Sequence, residues 1–105
     1  MAANIEAVRV LAKNYADDVR KILPVTKVYL FGSYAKGSAD ELSGIDMCFF
    51  LETFNSKQRT EIIFELLTIA GNYKGVFFEP LAFPVSEIQR DNPFVREILA
   101  TGIEM

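Results

Sequence analysis

Apolar residues recur at three- and four-residue steps through the first part of the chain, at Ile5, Val8, Leu11, Tyr15, Val19 and Ile22, while Glu6, Lys13, Asp17, Asp18, Arg20 and Lys21 fill the other side. That period predicts an amphipathic helix with its stripe against a core. Pro24 closes it, since the residue before a proline is pushed out of the helical region. The period then drops to two. Val25 to Phe31 is rich in β-branched and aromatic residues and stops at Gly32, which predicts a first strand. Ser33 opens a short helical turn that Gly37 ends. After a polar connector comes a second strand, Ile45 to Leu51, with Asp46 on one face beside Gly44, Cys48 and Phe50, and Ile45, Met47, Phe49 and Leu51 on the other.

Asn55 or Ser56 caps a second long helix whose apolar face is Ile62, Ile63, Leu66, Leu67 and Ala70 and whose end is Gly71. Val76 to Phe83 is the third strand, with Phe77, Glu79, Leu81 and Phe83 on one face. Pro80 has no N–H to give a ladder, so this strand lies at an edge or carries a bulge. Asn92-Pro93 is a cap followed by proline at the first helical position. Phe94, Val95, Ile98 and Leu99 face inward from that last helix, and Gly102 ends it.

Helices and strands alternating along 105 residues, half of them apolar, predict a single domain over residues 1–105. Its class is α/β (α+β), a small mixed β-sheet with helices packed on it. Composition then removes several functions. A formal net charge of −3 and a pI near 4.9, with no basic run, argue against a DNA-binding surface, where clustered positive charge supplies most of the affinity. Histidine is absent, which removes the commonest zinc ligand and the commonest general base at neutral pH. Cys48, the single cysteine, lies in a core strand and reads as a small buried hydrophobe rather than a nucleophile. No run of about 18 apolar residues and no export leader is present, so the expectation is a cytoplasmic protein that does not engage a membrane.

Chemistry concentrates in the segment from Lys27 to Leu51. A glycine and a hydroxyl at the end of a buried strand, Gly32-Ser33, let the backbone approach an anion closely, and the next helical turn aims N–H groups at it. Taken alone, the corner is also compatible with an ordinary strand-to-helix turn. Lys36 reaches toward a phosphate or is simply solvated. Asp46 is costly in so apolar a strand unless paired or bound to metal. Glu79, on the third strand, is either its partner at a hard divalent cation or a lone, partly exposed strand residue.

These residues resemble the minimal nucleotidyltransferases of the DNA-polymerase-beta-like superfamily, whose pattern is Gly-Ser, ten residues, then Asp-x-Asp. Gly32-Ser33 is followed by Tyr34 to Ser43, which puts the Asp pair at positions 44 and 46; position 46 is Asp, but position 44 is Gly. The run Val76 to Phe83 looks like the strand that brings the third carboxylate, with Glu79 in its place, and the segment from Asn92 looks like the family's C-terminal helix. The resemblance implies the polymerase-beta-like nucleotidyltransferase fold and ATP as substrate. Mg2+ would be held by Asp46 and Glu79, the catalytic acids, and the phosphates by Gly32, Ser33 and Lys36. The smallest members pair with an all-helical HEPN-type toxin and, as antitoxins, transfer AMP to it; a small acidic domain looks like that kind. The alternative is a member silenced by Gly44 that acts as a protein- or nucleotide-binding module. One of the connector acids, Asp40 or Glu41, either replaces the missing carboxylate or stays in solvent. Edge strands and aromatics such as Phe77 and Phe78 leave a homodimer open.

Overall fold

The computed structural model describes residues 4–40 and 43–105. Along the chain these form α1 (Ile5–Arg20), β1 (Val25–Phe31), α2 (Ser33–Lys36), β2 (Ile45–Leu51), α3 (Ser56–Ala70), β3 (Phe78–Pro84), a 3-10 turn (Val85–Gln89), α4 (Pro93–Thr101) and β4 (Ile103–Glu104). Each long helix starts on an asparagine side chain that accepts a backbone N–H of its first turn. Asn55 does so as part of a capping box, with Gln58 reaching back to its N–H.

The four strands lie in the order β3-β2-β1-β4, and β1 runs antiparallel to both β2 and β4. β2 and β3 are parallel, as they must be when α3 carries the chain from the end of one to the start of the other. β3 is an outer strand, where Pro80 leaves no ladder bond unmade.

Both faces of the sheet are covered. Ile45, Met47, Phe49 and Leu51 point into the larger core with Val8, Ala12, Tyr15, Ala16 and Val19 of α1 and Leu66, Ile69 and Ala70 of α3. Cys48 and Phe50 point the other way, into a smaller core with Tyr29 and with Val95 and Ile98 of α4. Tyr15 links the layers: its hydroxyl donates to the Leu66 carbonyl at 2.7 Å, and its ring stacks on Phe78 at 4.3 Å and meets Phe49 edge-on. Burial pushes the Tyr15 hydroxyl above its ordinary pKa, so it stays a neutral donor.

Several apolar positions expected inside are outside. Leu67 is 51% exposed while Ile69 is buried, because α3 carries apolar residues around much of its circumference and its stripe is set by packing on α1 and the sheet. Ile22 lies past the end of α1, and Phe94 sits on the outer rim of α4; both are exposed. β3 starts at Phe78 rather than Val76, so Phe77 precedes the strand in solvent while Phe78 is core. No helix among the described residues is long and apolar enough to cross a membrane.

Candidate active site

Strand register assembles the acidic centre. Phe31, the last residue of β1, pairs with Asp46, and Asp46 pairs with Glu79 across the parallel ladder. Register partners project to the same face, so the two carboxyls stand side by side, next to the point where β1 ends and Gly32 begins. Deeper along that face Cys48, Phe50 and α4 close the sheet; at this end Asp46 is half-buried and Glu79 exposed.

The chain turns away from β1 through Gly32 at φ 74 and ψ −148, a conformation almost confined to glycine. The missing side chain matters as much as the angles. A β-carbon on Gly32 would stand 3.0 Å from Asp46 Cγ, with Oδ2 nearer still, so the carboxyl packs directly on the glycine backbone. Desolvation by this packing raises the Asp46 pKa to about 6, helped by a hydrogen bond with Glu79 and by its charge. The two carboxyls are thus within hydrogen-bond reach of one another.

Ser33 is the first residue of α2 and half-buried at the same corner. Lys36 is one turn further on and exposed, its Nζ 2.8 Å from Glu97 of α4. Glu97 is held below the usual carboxylate range by that hydrogen bond and charge. A small pocket of about 150 Å³ opens here, lined by Phe31, Gly32, Lys36, Phe94 and Glu97 among others. Sequence reasoning did not single out Glu97 or Phe94 for this place, since nothing local marks a helix residue that meets the chain sixty positions upstream.

Asp40 accepts a hydrogen bond from the Ser43 hydroxyl within the connector. Glu41, the other connector acid, lies outside the described residues. Among the described residues no third carboxylate, thiol or imidazole joins Asp46 and Glu79. Cys48 is buried, its pKa pushed up to about 12 by desolvation, which fits the inert hydrophobe expected of it.

A larger cleft, about 730 Å³, is at the other end of the sheet, between Leu23, Pro24, Leu51 and Phe54 and the first turns of α3. Its ionisable lining is Glu52, Glu61 and Glu65, with no cation, and that charge is wrong for a triphosphate. The acidic pair and the glycine corner lie away from this larger cleft.

Two adjacent oxygen ligands on a solvent-facing rim fit a hard cation such as Mg2+, which commonly takes one or two carboxylates and fills its remaining positions with water and phosphate oxygens.

A family model for the nucleotidyltransferase domain matches residues 12–99. A search of curated proteins finds no significant match. Among solved structures, one described as a minimal nucleotidyltransferase aligns with a TM-score of 0.61 at 21% identity, over 98% of this chain and 97% of its own. One described as a nucleotidyltransferase from Sulfolobus solfataricus gives 0.58 at 19% identity, over 98% and 87%. A toxin–antitoxin crystal structure with AMP-PNP gives 0.56 at 18% identity, over 88% and 70%. At such identities the likeness is one of fold.

Proposed function

The chain belongs to the nucleotidyltransferase-domain family, and from that membership we propose that it transfers a nucleoside monophosphate, AMP from ATP, to a hydroxyl of a partner protein. The observation that carries the reading is the convergence of Asp46 and Glu79 beside the Gly32-Ser33 corner. Asp46 and Glu79 would hold Mg2+, which when bound supplies charge stabilisation at the triphosphate. Gly32 and Ser33 would receive phosphate oxygens on backbone N–H and hydroxyl donors. Lys36 would exchange Glu97 for a phosphate; an exposed ion pair is screened enough by water to permit it.

In the transfer, the acceptor hydroxyl oxygen bonds to the α-phosphorus and the bond from that phosphorus to the bridging oxygen of the β-phosphate breaks. Pyrophosphate leaves with the electron pair. The hydroxyl proton passes to a carboxylate or to water. With a pKa of about 6, Asp46 is ionised at neutral pH yet close enough to neutrality to take part in proton movement.

The toxin–antitoxin neighbour supports a partner that is itself a toxin, for which an all-helical HEPN-type protein in the cytoplasm is the acceptor in this reading. Phe77, 78% exposed beside the open edge of β3, is where a second copy of the chain would dock if it forms a homodimer. A second reading follows from Gly44: with two acids rather than three, the domain binds partner or nucleotide without transfer. ATP labelled in the α-phosphate, incubated with magnesium, this protein and a candidate all-helical acceptor protein, separates the two. Label on the partner supports the transferase; a stable complex that never acquires label supports the binding module.

A further inference from the structure

Gly44 is not glycine for the sake of its backbone. The described glycines with positive φ are Gly32, Gly37 and Gly75, so position 44 has a conformation open to any residue. Space explains it instead. A β-carbon on Gly44 would stand 2.5 Å from Glu79 Cδ and 3.0 Å from Glu79 Cγ, with Oε1 nearer still. Glu79 leans back across the ladder, so that its carboxyl lies over residue 44 and meets Asp46 from the side where a residue-44 side chain would project.

We infer that positions 44 and 79 together supply a single carboxylate: Glu79 fills the place of the acid absent at 44, Gly44 is the clearance it needs, and the resulting two-carboxylate site holds one divalent cation. The inference rests on the nucleotide site proposed above and sharpens it. A two-metal centre places its cations roughly 4 Å apart and shares ligands between them. Two carboxylates, one of them folded back over a glycine, provide the protein oxygens for one hard cation with phosphate and water completing its shell. Glycine at 44 is then a matched partner of Glu79 rather than damage to an otherwise complete set.

Substitution at 44 should be well tolerated by the fold, because the group in the way is the far end of an exposed side chain that can rotate into solvent. What it removes is the place from which Glu79 reaches Asp46. The test is Mn2+ binding to the full-length protein, followed by electron paramagnetic resonance, with the melting temperature recorded for each variant. Wild type should bind one Mn2+ per chain. Gly44→Ala and Glu79→Ala should each weaken binding by about tenfold or more while remaining folded. The double variant Gly44→Asp/Glu79→Ala should return to within about threefold of wild type, the signature of two coupled positions. If wild type binds no Mn2+, the nucleotide-site reading itself fails. If wild type binds but takes two ions, or Gly44→Ala binds as tightly as wild type or does not fold, or the double variant stays weak, the exchange between 44 and 79 is wrong while the site survives.

Discussion

Asp46 packs on Gly32 more closely than any side chain at position 32 would allow: its Cγ lies 3.0 Å from where a β-carbon would be. Gly32 thus serves two ends, holding φ at 74 for the turn out of β1 and leaving Asp46 its seat. Gly32→Ala meets both constraints at once. Strain at such a backbone position costs about 1–3 kcal/mol, which for a domain of this size lowers the melting temperature by roughly 5–15 °C. Thermal denaturation should register that fall, and divalent-cation binding should weaken with it because Asp46 is displaced. Unchanged melting with normal cation binding would show that the contact is not needed.

The raised Asp46 pKa makes stability depend on pH in a definite direction. Between an ordinary value near 4 and about 6, the folded chain keeps a proton that the unfolded chain has released. The contribution of this group is therefore full below about pH 4 and is lost as pH rises through about 6. Asp46→Asn keeps the shape without the charge, so its melting temperature should gain on wild type as pH rises from about 5 to about 7.5. Solvent screening of a half-buried group trims the gain to about 1 kcal/mol, or roughly 4–8 °C. A constant difference across that range would mean that Asp46 titrates normally. The same substitution should abolish nucleotidyl transfer if the proposed role is right.

Much of this arrangement was legible in the sequence, for reasons that particular residues make plain. β1 and β2 have the predicted bounds because Gly32 and the polar connector stop the apolar runs sharply. α4 starts where expected because Asn92 and Pro93 leave few alternatives. The convergence of Asp46 and Glu79 was inferred from the resemblance, and register delivers it. β4, only two residues long, carries no periodic signal. Nor could local pattern tell that Leu67 faces water while Ile69 is buried, since that depends on where α1 lies. The fit of Glu79 over Gly44 joins residues on two strands and exists only once they are paired.

Tyr15 is the point where α1, α3 and the sheet are joined. Its hydroxyl bond to the Leu66 carbonyl is buried, and its ring contacts Phe49, Tyr73 and Phe78. Tyr15→Phe keeps the ring and removes the bond, so it should cost about 1 kcal/mol. Tyr15→Ala removes both and should cost about 3–5 kcal/mol. Urea denaturation of the two variants checks the ratio, with nearly equal losses meaning that the hydroxyl, not the ring, holds the layers together.

Lys36 and Glu97 offer a test of the phosphate grip that does not touch the carboxylate pair. In the folded chain the lysine is occupied by a glutamate across the small pocket beside Gly32. If ATP draws Lys36 away, Glu97 competes with the nucleotide, and the two residues have opposite effects on binding. Lys36→Ala should then weaken ATP binding by about 3- to 10-fold, the scale of one lost charge-assisted contact. Glu97→Ala should tighten it by freeing the lysine and removing a negative charge near the phosphates. Isothermal titration with ATP and magnesium reads both. A merely structural ion pair predicts something else, because deleting either partner would then shift stability alike and leave ATP affinity alone; that pattern would place Lys36 outside the nucleotide site.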